Sequence, residues 1–205
     1  MRMGKRVAGK AAQRVPGLQE TKLVRKLDAE QSGWYLEETG QLCDGFVINA
    51  DDVVVDVGTG TGGMAMFAAR QGAEVVATDI DEKAIERLNK LTKGKFEGRL
   101  RAVVSDTNPL PIADGFATKV ICSEVLEHVP DPAHFVNELA RIGGPGAEYL
   151  ITVPDPVAEN IQRSVAPPVY WAPPNHVRIF QRDEFQNLIK SVGLDISHLG
   201  RSSFY

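Results

Sequence analysis

The stretch "VVVDVGTGTGG", residues 53–63, decides how the chain is read. A short run of β-branched residues reads as a buried strand of a parallel sheet. It runs through one acid, Asp56, into a turn with Gly58, Gly60, Gly62 and Gly63. Glycines let backbone approach a ligand closely, and the helix expected next offers free N–H groups at its start. The spacing Gly58, Gly60, Gly63 satisfies the G-x-G-x-x-G dinucleotide pattern, with Asp79 about 20 residues on, where a ribose-binding carboxylate is expected.

Outward from this turn the chain alternates. Strands are expected over 74–78, 100–104, 118–123 and 148–153, and helices over 61–71, 81–91 and 132–142. Asp81 is well placed as a helix N-cap, and Pro132 fits a first helical turn. A helix over 182–192 and a strand over 194–199 follow. Such alternation predicts a doubly wound, Rossmann-like α/β fold, a mainly parallel sheet of six to seven strands with helices on both faces. Few residues follow Leu199, so the seventh strand is expected to be stunted. That leaves an exposed edge and favours a homodimer. Residues 18–31 and 34–43 read as short helices, and 154–180 as an irregular segment rich in Pro and aromatics. The division is a basic N-terminal segment with cap helices over 1–45 and a cofactor-binding domain over 46–205, with 154–180 as a lid.

Composition narrows the partners. The 205 residues suit one domain, and 43% apolar with 24% charged residues is ordinary for a globular protein. Net charge is −4, which gives no global bias toward nucleic acid. Residues 1–26 nonetheless carry a net +7, either a solvated tail or an attractor for an acidic partner. Cys43 and Cys122 lack metal-ligand spacing, no apolar run reaches the roughly 18 residues of a membrane span, and the N-terminus has no signal-peptide core. A cytoplasmic location without membrane contact is expected, and no metal constellation is visible.

The glycine turn alone admits a nicotinamide cofactor. Asp56 tilts the reading, because a carboxylate two residues before the first glycine suits a cationic group better than a pyrophosphate. Asp106 in "SDTNPLP" offers an acceptor for an adenine amino group, and Glu124 in "CSEVLEHVPDP" extends the acidic cleft. Asp56, Asp79, Asp106 and Glu124 together suit a cofactor bearing a sulfonium and an ammonium.

With these pieces placed, the chain resembles the class I S-adenosylmethionine (SAM)-dependent methyltransferases, in their small-molecule, ubiquinone- and menaquinone-biosynthesis-like branch. The resemblance is carried by "VVVDVGTGTG", "VVATDIDEKAIERL", "VVSDTNPLPIADGFATKVICSEVLEHVPDP", "YLITVPDP" and "NHVRIFQRDEFQNLIKSVGL". It implies that Gly58, Gly60 and Gly62 pass under the methionine part and ribose. Asp79 would bind the ribose hydroxyls and Ile80 pack on adenine. Asp106 and Thr107 would meet the adenine edge, and Ser123 and Glu124 the methionyl group. Asp56 would shape the loop or reach the ammonium.

The acceptor side is less legible. SAM's methyl is already activated, so the enzyme aligns a nucleophile and often removes a proton. His128 and His176 are the candidate bases, because histidine titrates near neutrality. Trp34, Tyr35, Tyr170 and Trp171 are candidate walls for a ring-shaped, small-molecule acceptor. Blander readings stand beside these: Asp106 as a turn residue, Glu124 and Glu127 as solvated charges, and the aromatics as lid packing. Methyl transfer to a hydroxyl oxygen is the function expected. An NAD(P)-dependent oxidoreductase and a non-catalytic SAM-binding subunit are the alternatives.

Overall fold

The computed structural model describes residues 31–96 and 98–201. The basic segment 1–17 and nearly all of the expected helix 18–31 lie outside them. The central sheet holds five parallel strands: β3 (Val53–Val57), β4 (Glu74–Asp79), β5 (Leu100–Val104), β6 (Ala117–Ser123) and β7 (Gly143–Thr152), in the order β5-β4-β3-β6-β7. The chain starts at β3, winds out through β4 to β5, then crosses to β6 and β7. The order therefore reverses at β3, and a crevice opens there above the carboxyl ends of β3 and β6.

Alternation along each strand builds two apolar layers. Val54, Val75, Ala77 and Ile121 face one core, with Phe67 and Leu88 from α1 (Gly63–Arg70) and α2 (Glu82–Thr92). Val55, Val57, Val76, Val120 and Cys122 face the other, with Phe135, Val136 and Leu139 from α3 (Pro132–Ile142) and Ile189 from α5 (Arg182–Ser191). The expected cap is in place, with Asp81 accepting from Lys83 N at 2.9 Å, and Pro132 stands in the first turn of α3, where Asp131 accepts from His134 N at 3.0 Å. Helix propensity alone would not hold such short helices, so their apolar faces on the sheet supply the stability.

Four elements differ from the expectation. Residues 34–43 form no helix. They turn through Gly40 (φ +70°) into a hairpin of β1 (Gln41–Cys43) and β2 (Phe46–Val47). A Cβ on Gly40 would strike the Ile48 carbonyl oxygen, so this turn demands glycine. The strand expected over 148–153 begins earlier, at Gly143, which also caps the end of α3. A Cβ on Gly143 would meet the Tyr149 hydroxyl, and one on Gly144 would lie 2.9 Å from the Gly115 carbonyl oxygen. The segment 154–180 contains a helix, α4 (Pro156–Arg163), capped by Asp155, and a 3-10 turn at Pro168–Trp171.

Residues 194–199 are not a strand. Leu194 and Ile196 pack on the second core, and the backbone runs over it without pairing to β7. The sheet thus has five strands rather than six or seven among the described residues. No described helix is long and apolar enough to cross a membrane.

Phe67 is fully buried where α1, the hairpin and the sheet meet, with its ring 5.7 Å from that of Tyr35. Phe67→Ala is expected to destabilise the fold by about 3–5 kcal/mol, read by denaturant unfolding, through lost contact and an unfilled cavity.

Candidate functional site

The glycine turn is tied down from below. Gly58 N and Thr59 N both donate to the Thr78 carbonyl, at 2.8 and 2.9 Å. Gly58, Gly60 and Gly62 have φ of +75°, +52° and +79°. A Cβ on Gly58 would run into Val125, and one on Gly62 into Leu88, so packing alone requires these two glycines. A Cβ on Gly60 would meet nothing within 4 Å, so that glycine borders open space.

Asp56 lies beneath the turn, 3% exposed. The Thr59 hydroxyl donates to it at 2.6 Å, and Ala65 N–H, in the first turn of α1, also reaches it. Burial lifts its pKa from 3.8 to about 6; the Thr59 and Ala65 donors oppose the rise and the Asp79 charge adds to it. Above it a cavity of about 150 Å³ is lined by Tyr35, Asp56, Gly58, Thr61 and Ser123 among others. Tyr35 thus lines this cavity, held by the hairpin with φ +60°. Trp34 is only 4% exposed and packs in the first core with Leu42 and Phe46, away from the lining of this cavity.

The other candidate cofactor residues follow the strand ends. Asp79 closes β4, and its two oxygens accept from Gly60 N at 2.7 Å and Asp81 N at 2.9 Å. Ile80, next to it, is 73% exposed, a large apolar side chain left in the open. Asp106 lies two residues past β5 and caps Asn108 N at 3.1 Å. Thr107 is buried with φ +64°, and Glu124 after β6 has φ +55°. Non-glycine residues held there cost about 1–3 kcal/mol each and concentrate at functional sites. Ser123 and Glu124 are linked through Thr152, by oxygen contacts of 2.8 and 3.0 Å.

A second cluster forms where the 3-10 turn Leu126–His128 meets the segment after α4. His176 Nδ1 lies 2.7 Å from Glu159 Oε2, and His128 Nδ1 lies 3.1 Å from the Pro174 carbonyl oxygen. The two imidazoles meet edge to face at 4.8 Å, with Tyr170 5.0 Å and Trp171 6.1 Å from the His176 ring. Burial raises the Glu124 pKa; the Thr152 hydrogen bond and His176 act to lower it, and Glu159 to raise it, so the two clusters are electrostatically in contact.

Glu127, a solvated charge by its sequence context, is 1% exposed, and neither carboxylate oxygen has a hydrogen-bond partner in good geometry. Burial lifts its pKa to about 8; its own backbone N–H opposes this, while the Glu124 and Glu159 charges reinforce it. Glu159 itself is 4% exposed and carries no signature in the sequence. No motif surrounds it, and only the folded position of α4 brings it to His176.

An open parallel sheet with a glycine turn and carboxylates at its switch point defines a Rossmann-like protein built to hold a nucleotide-type cofactor. The chain belongs to a methyltransferase domain family, whose profile matches residues 21–199. That membership sets aside the nicotinamide reading. The chain is 38% identical over 101 residues to a ubiquinone biosynthesis O-methyltransferase of Hahella chejuensis, covering 48% of this chain and 42% of that one. It is 35% identical over 100 residues to the chloroplastic tocopherol O-methyltransferase of Arabidopsis thaliana, covering 48% and 29%. The match thus spans less than half the length of these relatives. Among solved structures, the YcgJ protein of Bacillus subtilis superposes with a TM-score of 0.65 at 20% identity, over 81% of this chain and 69% of that one, a likeness of fold.

Because the folded pKa of Asp56 is raised, its contribution is stabilising below about pH 4 and is lost as pH rises toward 6. The loss amounts to roughly 2–3 kcal/mol. Asp56→Asn is expected to flatten that fall. Denaturant unfolding at a series of pH values, variant against parent, measures it; parallel curves across pH 4–6 would show that Asp56 does not titrate there.

Proposed function

We propose that the chain transfers the methyl group of SAM to a hydroxyl oxygen of a small, ring-bearing acceptor. The observation that carries this reading is the histidine–carboxylate cluster of His128, His176 and Glu159 beside the end of β6, next to Ser123 and Glu124. The O-methyltransferase names of the two sequence relatives support oxygen as the target.

In this reading the cofactor lies across the carboxyl ends of β3, β4 and β5. Gly58, Gly60 and Gly62 pass beneath its methionine part and ribose, and Asp56 and Tyr35 line the end that takes the ammonium. Asp79 binds the ribose hydroxyls, since each of its oxygens has a second acceptor direction left beside its backbone donor. Ile80 packs on adenine, with Asp106 and Thr107 at its edge. Ser123 and Glu124 hold the methionyl group, which sets the methyl toward the histidine cluster.

The segment 154–180 acts as the lid over the acceptor. Tyr170 and Trp171 form its ring-binding wall around His176. Val157, Ile161, Val165 and Val169 are each more than half exposed along it, which supports an acceptor with an apolar body. Closing the lid excludes water, which would compete as nucleophile. His176 then takes the hydroxyl proton on its free ring nitrogen, and Glu159 steadies the imidazolium; His128 orients the acceptor. The oxygen attacks the methyl carbon in line with the sulfur, which leaves with its electron pair as S-adenosylhomocysteine. The β7 edge, unpaired among the described residues, supports a homodimer, which sedimentation would reveal.

Asp79→Ala is expected to weaken SAM by about 2 kcal/mol or more in calorimetry, because hydrogen bonds to a charged group contribute about 1.5–3 kcal/mol each. NADH should give no heat with either protein. Unchanged SAM affinity in Asp79→Ala would refute the ribose assignment. His176→Ala should slow methyl transfer to a hydroxylated acceptor by roughly 10²–10⁴-fold, with SAM affinity nearly unchanged. A near-normal rate would remove His176 from the chemistry.

A further inference from the structure

The loop 105–116 joins β5 to β6 and carries Asp106 and Thr107 near its start. Thr107 is buried in left-handed backbone, φ +64°. A non-glycine residue stays in that region only when the chain around it is firmly fixed. Upstream, Ser105 N donates to the Asp79 carbonyl at 2.9 Å, and Thr107 N donates to the Ser105 hydroxyl at 3.0 Å. Downstream, the loop is fixed from α3.

Leu110 and Ile112 bury their side chains in the second core, 2% and 6% exposed. That settles the depth of the loop but leaves its backbone free to turn between the two anchors. Glu138 and Arg141, three residues apart and so on one face of α3, remove this freedom. Glu138 Oε2 accepts from Leu110 N at 2.9 Å. Arg141 Nη2 donates to the Leu110 carbonyl at 3.1 Å, and Nη1 to the Ile112 carbonyl at 2.8 Å. The same guanidinium holds both Glu138 oxygens, through Nε at 2.9 Å and Nη2 at 2.7 Å. Those bonds keep the Glu138 carboxyl below the usual carboxylate range, although burial acts to raise it. Gly115 N donates to the Arg141 carbonyl at 2.9 Å, which closes the clamp. The bond from Arg141 to Asp114, at 2.6 Å, goes to an exposed carboxylate and adds little.

Stability alone would not ask for this pattern, because apolar residues of similar volume often serve a packed contact as well as an ion pair does. What the pair adds is direction. A planar guanidinium fork sets two backbone carbonyls at once, which a point charge cannot do. Leu110 follows Asp106 by four residues and Thr107 by three, so the turn of its peptide groups carries back to both. Asp106 Oδ1 accepts from Asn108 N at 3.1 Å, so the aim of this carboxylate follows the backbone of the loop.

We propose that Glu138 and Arg141 are positioning residues for recognition of the cofactor's base: they lock the loop 105–116 so that Asp106 meets the 6-amino group of adenine. The proposal rests on the reading above that places Asp106 at the adenine edge. Neither residue touches the cofactor; both act through the peptide groups of Leu110 and Ile112. Loosening the clamp costs base selectivity rather than binding as a whole.

The test compares S-adenosylhomocysteine with S-inosylhomocysteine, whose base carries a 6-oxo group in place of the amino group, by calorimetry on the full chain. An oxygen facing the Asp106 carboxylate leaves both acceptors unpaired, so the parent is expected to prefer the adenine compound by about tenfold or more. Arg141→Lys keeps the charge and the ion pair but loses the fork. It and Arg141→Ala should each bind the adenine compound at least fivefold more weakly and the inosine compound within twofold of the parent. Asp106→Asn should lose the preference directly. Ile189→Ala, in the same core but outside the clamp, is the control for lost stability: it should unfold at lower denaturant and keep the full preference. Parent-like preference in the two Arg141 variants, beside its loss in Asp106→Asn, overturns the clamp and leaves the adenine assignment standing. Equal weakening of both compounds in Arg141→Lys, or failure of that variant to fold, shows a merely structural pair and also overturns it. No preference in the parent, with Asp106→Asn unchanged, removes the adenine assignment and the clamp with it.

Discussion

One buried carboxylate organises the glycine-turn end of the crevice. Asp56 leaves the central strand on the face of the first core, where Val54 precedes it by one alternation. It is almost wholly withdrawn from water, so its oxygens take donors from within the chain. They find them in Thr59 of the turn and Ala65 of α1. Those two bonds set the path of the glycine turn and the start of α1. The start of α1 in turn decides where Phe67 enters the core and where the hairpin carrying Tyr35 can pack. A glycine turn without this anchor would have many conformations, and the crevice above it would have no defined floor.

The opposite end of the crevice is governed by a different economy of charge. Glu124, Glu127 and Glu159 are drawn together with His128 and His176 by the meeting of the β6 end and α4. Here burial outweighs local compensation, and the Glu127 carboxyl is pushed up to about 8. Folding gathers like charges only when something else holds the elements in place. In this protein that is the second core, where Leu126 is fully buried and Phe180 nearly so. Charges held together against their own repulsion are a common mark of a site built for chemistry.

The strand–helix alternation from Val53 to Ile142 was legible because each element obeys a local rule. β-branched runs made the strands, Asp81 and Pro132 marked the helix starts, and glycines with positive φ made the turns. The elements that escaped are those that local rules do not decide. Residues 34–43 have apolar spacing compatible with a helix, but Gly40 packs against the Ile48 carbonyl and turns them into a hairpin. Leu194 and Ile196 alternate like a strand, yet burial against the second core satisfies them without a ladder.

By itself the sequence determined the parallel order of the sheet's elements, the glycine turn and the row of acids at the strand ends, because these rest on period, spacing and residue type. Asp79 could be placed from its distance along the chain, since one βαβ unit has a nearly constant length. Only the tertiary structure decided that Trp34 belongs to the core, that Tyr35 lines the cavity above Asp56, and that Glu127 is buried beside two histidines. His176 lies 48 residues beyond His128, and Glu159 lies 17 residues before His176, with no periodic relation among them. Such a cluster is set by how α4 and the following loop lie on the sheet, and that arrangement depends on packing across the whole second core.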